Sequence, residues 1–289
     1  MLQDWLIAPF AEFGFMRRAL VGVVALSLGA GPVGVFLMLR RMSLAGDAMA
    51  HAILPGAAIG YLVAGLSLPW MTLGGLAAGM AVALLSGVVA RTTVLKEDAS
   101  IAAFYLLSLS AGVTLVSLKG SNVDLLHVLF GSVLALDDPT LHLMAGTATA
   151  SMLGLALLYR PLVMECVDPG YLRSVSGSGT AVHLAFLALV VVNLVAGFHA
   201  LGTLLAVGLM MLPAIAARFW TENIGGMIAW ATGFGLLAGF GGILISFHAG
   251  LPTGPTIILC AGIVYLASIL IGARNGLLLR YLPRRHLEA

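Results

Sequence analysis

The sequence predicts an all-α integral membrane protein, a polytopic bundle of eight to nine transmembrane helices forming one domain over residues 1–289. Three observations carry this. Of the 289 residues 61% are hydrophobic and only 9% charged, with a mean hydropathy of +1.08, whereas a soluble domain is about one quarter charged. Eight apolar runs reach the roughly 17 to 25 residues that a helix needs to cross a bilayer, and a ninth is shorter. When the nine runs alternate, eleven of the 14 Lys and Arg residues fall on one side, as the positive-inside bias requires.

The elements follow in chain order. Residues 1–18 predict a helix lying along the membrane surface, anchored by Trp5 and Phe10. Asp4 and Glu12 precede Arg17-Arg18, which is not the order of a signal peptide. Runs at 19–39, 48–66, 69–90 and 99–118 are the first four spans. Residues 122–135 are too short to span and predict an outer half-helix. After the run at 140–159 comes the largest cytoplasmic loop, 161–179. In it Asp168 can cap a short helix begun by Pro169 and ended by Gly177 and Gly179. A capped cytoplasmic helix between spans is a docking element. Runs at 181–198, 203–217, 226–247 and 254–273 complete the bundle. The short run 203–217, ending past Pro213, reads as a true span, because a re-entrant segment would place the Arg-rich tail 274–289 outside. The amino terminus is then outside with Arg17, Arg18 and Lys119. Arg40, Arg41, Arg91, Lys96, Arg160, Arg173, Arg218, Arg274, Arg280, Arg284 and Arg285 are cytoplasmic, as is the carboxyl terminus.

The rest of the composition narrows the function. Thirty-six glycines fit helices packed closely in lipid. Cys166 and Cys260 form no CxxC pair, so they make neither a zinc knuckle nor a redox motif. A net charge of +2 argues for no nucleic-acid partner.

Asp47 and His51 are the chief candidate site residues. Their i, i+4 spacing stacks a carboxylate above an imidazole on one helix face, and ionisable groups at membrane depth are expensive enough to be functional by default. The pair reads as half of a divalent-metal site. From spacing alone an equal alternative makes Asp47 a helix cap near Ala48 with His51 hydrogen-bonded inside the bundle. Pro55-Gly56 would break or bend the helix just beyond, freeing carbonyls and permitting motion. Asp124 and His127, at i and i+3 on the outer half-helix, are a possible second metal contact, although capping suits Asp124 better. His199 and His248 fall at outer span ends, and His142 and His183 are expected at the interface. Glu97, Asp98 and Glu222 are expected to be solvated loop charges.

The stretch Arg-Arg-x-Ser-Leu-x-Gly-Asp-Ala-x-x-His-x-x-Leu-Pro-Gly from Arg40 to Gly56 resembles the signature of the ABC-3 family, the permease subunits of bacterial ABC importers for zinc and manganese. Further matches follow in order at Leu129-Phe130-Gly131, Asp168-Pro169 with Tyr171-Leu172, Gly202-Thr203-Leu204-Leu205 through Leu212-Pro213-Ala214, and Pro252-Thr253-Gly254-Pro255. The resemblance implies a core of two permease copies in the bacterial inner membrane, two cytoplasmic ABC ATPase subunits, and an extracytoplasmic metal-binding protein. It implies Zn2+ or Mn2+ as transported substrate, with no permanently bound cofactor. A twofold axis beside the helix would bring two Asp47 and two His51 together, a mixed oxygen and nitrogen shell suited to either metal. It also makes 161–179 an ATPase-coupling loop. Asp168 and Pro169 would set its helix, Tyr171, Leu172 and Val175 would be apolar anchors, and Arg173 a charge partner. Gly170 stands where the family commonly has an acidic residue.

Other function classes fit less well. With no GxxxxGK[ST] the chain must borrow its ATPase, so it is expected to be a transport subunit and not an enzyme. No HExxH or GxSxG supports an intramembrane hydrolase. A secondary metal transporter or channel would need an inverted repeat and more intramembrane carboxylates. A related permease for bulky metal chelates would need a wide path, not an Asp-His pair.

Overall fold

The computed structural model describes residues 5–65, 67–118, 133, 136–168, 179–274 and 276–278. The described residues are helical with no strands. The helices are α1 (Ala8–Glu12), α2 (Gly14–Leu39), α3 (Ser43–Ala64), α4 (Leu68–Thr92), α5 (Glu97–Leu118), α6 (Asp138–Val167), α7 (Gly179–Leu201), α8 (Thr203–Ala217), α9 (Ile224–Ala249) and α10 (Thr253–Ile271). All but α1 and α8 are long and apolar enough to cross a membrane.

Their ends alternate between two poles. At one pole Arg40, at the end of α2, meets Glu165 near the end of α6 and His183 near the start of α7. There too the Arg274 N–H, just past α10, donates to Phe219 O, just past α8. At the other pole Phe13 and Phe15 meet Phe247 on α9, and Arg18 pairs with Asp138 at the start of α6. The positions with Arg40, Lys96, Arg160, Arg218 and Arg274 thus share one pole, and Arg17 and Arg18 sit at the other. This is the segregation expected from the positive-inside bias.

Helix α8 keeps the alternation. Gly202 has φ 85 and ψ 161, a region open essentially to glycine alone, and it reverses the chain in one residue. A Cβ on Gly197 of α7 would come within 2.6 Å of Ala206 Cβ on α8, so α8 runs back alongside α7. The short run therefore lies antiparallel to its predecessor, as a true span requires.

Helix α2 is the hub, packed against α6, α8 and α9, with Ala30, Val33, Val35, Phe36 and Leu37 fully buried. Helix α3 packs most heavily on α4 and α5. Close approach explains the glycines there. A Cβ on Gly56 would come within 2.6 Å of both the carbonyl carbon of Gly74 and Ala78 Cβ. In lipid such small-residue seams supply the dispersion contacts that hold helices together.

Three boundaries differ from the sequence expectation. Helix α2 begins at Gly14, so residues 14–18 are core helix and not surface segment: Met16 is fully buried. Trp5 stacks on His248 at the end of α9 with ring centroids 4.3 Å apart, and Phe10 on Phe240 at 5.4 Å. The segment 161–167 is helix, not loop, because α6 continues through Pro161 to Val167. Burial of Leu162 and an ion pair at Glu165 hold this last turn in place despite the missing N–H. Helix α3 begins at Ser43 with Met42 as N-cap and no side-chain cap bond.

Candidate metal site on helix α3

The site begins at the α2–α3 reversal. The Met42 N–H donates to Leu37 O at 2.9 Å and the Arg41 N–H to Met38 O at 3.0 Å, the two bonds of a Schellman ending. Such an ending needs a left-handed residue after the C-cap, normally glycine. Here it is Arg41, with φ 60. Ser43 then opens α3 without delay, so Asp47 and His51 lie one and two turns inside the helix. Asp47 is therefore not a helix cap.

Along α3 the outward stripe runs Leu44, Asp47 and His51, and both ionisable side chains are open: 64% for Asp47 and 35% for His51. Their closest approach, Asp47 Oδ1 to His51 Nε2, is 3.8 Å, beyond hydrogen-bond distance. Each side chain therefore keeps lone pairs for another partner. On one flank a cleft of about 330 Å³ runs from Asp47 and His51 to Thr203, Val207 and Gly208 on α8 and Ile258 on α10. On the other a cleft of about 240 Å³ links Asp47 to Asp98, Ile101 and Tyr105 on α5, and the Tyr105 ring centroid lies 6.4 Å from that of His51. Leu44 and Leu204, which line the two clefts, are 79% and 45% exposed. An ionisable pair on an apolar, open face of a membrane helix costs free energy unless something covers it.

One chain presents a single carboxylate and a single imidazole here. Transition-metal sites take four or more, and among the described residues no group of three His, Cys, Asp or Glu side chains is placed to hold a metal. The geometry places one carboxylate and one imidazole on an open face, two short of the four ligands such a site takes.

Pro55 and Gly56 follow one turn on, both buried, and α3 stays continuous through them to Ala64. The expected break is absent because Pro55 is clamped by α5: a Cβ on Gly112 would come within 2.6 Å of Pro55 Cγ. The Ser108 hydroxyl on α5 donates to Ala52 O at 3.2 Å, a further tie between α5 and this turn of α3. Of the other expected site residues, Asp168 is the C-cap of α6, its N–H donating to Met164 O. Asp124, His127, Pro169, Tyr171, Leu172, Arg173 and Val175 lie outside the described residues. His142 is exposed, its Nδ1 bonded to Asp138 O at 2.7 Å.

Two expectations are corrected. His183 is 2% exposed, not interfacial, because Arg40 and Glu97 flank its ring. Glu97 accordingly is no solvated loop charge, and Asp98 faces the Asp47 cleft. Sequence spacing also does not reveal Thr203, Gly208 and Tyr105 as neighbours of the pair. The one signal for them is that Gly202-Thr203 opens a helix too short to reach both poles without an unusual turn.

Comparison with known proteins identifies the family. A family model, described as the ABC 3 transport family, matches residues 12–272. The chain is 29% identical over 264 residues to the manganese import system permease protein ScaB of Streptococcus parasanguinis, covering 91% of this chain and 93% of that protein. It is 30% identical over 267 residues to the manganese transport system membrane protein MntC of Listeria innocua, covering 92% and 94%. Its backbone matches a chain in the structure of PsaBC from Streptococcus pneumoniae in complex with Fab, with TM-score 0.83, 28% identity, and coverage of 98% and 99%. Matched across nearly its whole length in sequence and in backbone, the chain belongs to the ABC 3 transport family.

Proposed function

We propose that this chain is the permease subunit of an ATP-driven importer of divalent transition-metal ions, manganese or zinc, in a bacterial inner membrane. Two copies pair across the open α3 face, so that two Asp47 and two His51 form a shared four-ligand site. The observation that carries this is the Asp47 and His51 pair, not engaged in capping, unbonded to each other and open on an apolar helix face. Two carboxylates offset the dication and two imidazoles complete an oxygen and nitrogen shell. The relatives described as manganese import and transport proteins support manganese as cargo. Affinity order favours zinc, so selection between them rests with an external metal-binding protein that delivers the ion.

Two cytoplasmic ATPase subunits supply the energy, seating on the segment around Asp168, Pro169, Tyr171, Leu172, Arg173 and Val175. Closure of the ATPases moves the ends of α6 and α7, and rigid-body rocking turns the shared site from one side of the membrane to the other. Pro55 and Gly56 fix α3 to α4 and α5 so that the site moves with them. A second metal contact at Asp124 and His127 is part of this proposal as an entry site. The test is 54Mn and 65Zn uptake by vesicles carrying the whole importer, comparing wild type with Asp47→Ala and His51→Ala at matched assembly. Loss of uptake in both supports the site. Normal uptake in assembled variants would overturn it.

A further inference from the structure

At the pole that the charge bias assigns to the cytoplasm, four ionisable side chains from four helices meet, three of them buried and the fourth, Glu97, 27% exposed. Arg40 Nη2 donates to Glu165 Oε1 at 3.2 Å and to His183 Nδ1, and His183 Nε2 lies against Glu97 Oε1. A guanidinium nitrogen can only donate, so Nδ1 is the acceptor and the ring proton sits on Nε2, facing the Glu97 carboxylate. The guanidinium also rests over the Phe186 ring of α7, 5.2 Å from its centroid. Side-chain exposure is 10% for Arg40, 6% for Glu165 and 2% for His183. The group lines a cleft of about 610 Å³, with Arg41 and Lys96 on its rim.

Buried charges of this kind are weak evidence for stability, since desolvation offsets much of the attraction. Their placement is more telling. Glu165 is in the last turn of α6 and His183 is near the start of α7, the two helices that bracket the 169–178 segment. Glu97 opens α5, the helix that carries Asp98, Tyr105 and Ser108 against α3. Arg40 is the C-cap of α2 and adjoins Arg41, the non-glycine residue at φ 60 in the reversal that starts α3. A non-glycine residue persists there only when its surroundings over-determine it, and the anchored Arg40 guanidinium is one such constraint. Arg40 Nη1 is buried with no hydrogen-bond partner among the described residues.

We propose that the Arg40, Glu165, His183 and Glu97 cluster is a positioning network that ties the α2–α3 reversal, and with it Asp47 and His51, to the ends of α5, α6 and α7. These residues touch no cargo. They transmit displacement of α6 and α7 to α3, so that ATPase closure and site reorientation occur as one event. The inference rests on the proposed metal import at Asp47 and His51, and it adds the mechanical link.

The test uses the complete importer in proteoliposomes, with Mn2+ as probe, and reads three quantities: assembled complex, Mn2+ binding, and ions taken up per ATP hydrolysed. Glu165→Gln and Arg40→Lys keep size and remove the ion-pair geometry. Both are expected to assemble and bind Mn2+ as wild type does, while uptake per ATP falls about tenfold, within the usual range for coupling between sites. The double exchange Arg40→Glu with Glu165→Arg restores the carboxylate–guanidinium pair in reverse, and is expected to recover part of the ratio. An unchanged ratio in assembled Glu165→Gln and Arg40→Lys would overturn the proposal. So would a loss that only tracks the amount of assembled complex and is not recovered by the exchange, because a structural role predicts that pattern. Asp47→Ala separates the two ideas: it abolishes Mn2+ binding if the site is correct, whereas cluster variants keep binding and lose the ratio.

Discussion

Gly56→Ala offers a sharp test of the α3–α4 seam on which the site depends. The added Cβ would lie 2.6 Å from the carbonyl carbon of Gly74 and from Ala78 Cβ, with the Gly74 oxygen closer still. Carbon pairs rest at about 3.5–4.0 Å, so α3 must retreat from α4 by about 1 Å. Neither partner is the far end of a flexible side chain, so the backbones must give. Overpacking of this kind costs about 1–3 kcal/mol, and at about 1.4 kcal/mol per tenfold the folded fraction drops several-fold to a hundredfold relative to unfolded chain. Gly56 is five residues beyond His51, so the same displacement misplaces the site and metal uptake falls. The assay is reversible unfolding of purified protein in mixed micelles, with Gly146→Ala as the control. A Cβ at Gly146 on α6 meets nothing within 4 Å, and relief of glycine's extra backbone freedom predicts a gain of about 0.4–1 kcal/mol. Equal stability of Gly56→Ala and Gly146→Ala would refute the close-seam reasoning.

Other outcomes follow from single positions. Gly202→Ala forces a side chain into φ 85, ψ 161; it should cost about 1–3 kcal/mol in the same unfolding assay and lower uptake by moving Thr203 and Gly208 away from His51. Asn193→Ala removes the amide that donates to Ser151 Oγ at 2.7 Å and Leu189 O at 2.8 Å, tying α7 to α6, and should destabilise by about 0.6–2 kcal/mol. Asp137 is the N-cap of α6, its side chain accepting from the Thr140 N–H at 3.0 Å. Hydrogen bonding to Thr140 holds its carboxyl below the usual 3.8. A depressed folded value means its stabilisation is present above the unfolded value and is lost as pH falls through the folded one. Because the group is exposed, Asp137→Ala should cost only about 0.5–1 kcal/mol at neutral pH, seen as faster amide exchange in the first turn of α6, and progressively less as the pH falls through the acid range.

The spans are legible in the sequence because lipid demands long uninterrupted apolar runs, and hydropathy reads those directly. Even the short α8 is bounded at 203–217 by sequence and structure alike, since Gly202 and the Arg218 that follows mark its ends. Helix starts are less legible. Residues 14–18 carry two arginines, yet Met16 and Ala19 pack in the core while Arg17 and Arg18 turn outward, a facial pattern that an averaged window erases. The loop expected from residue 161 starts later, because tertiary contacts at Leu162 and Glu165 hold the helix through Pro161. The Asp47 and His51 pair is visible because its i, i+4 spacing is local. The Arg40, Glu165, His183 and Glu97 cluster is not, because its members are brought together over 125 and 143 residues of sequence and each alone looks like an ordinary helix-end charge.

The most direct test of the proposed shared site is electron paramagnetic resonance of Mn2+ added to the purified permease, with nitrogen couplings resolved by pulsed methods. The account predicts one Mn2+ per two chains, carrying nitrogen coupling that disappears in His51→Ala, and no binding in Asp47→Ala. One ion per chain, or the same nitrogen-coupled signal in assembled His51→Ala, would contradict it.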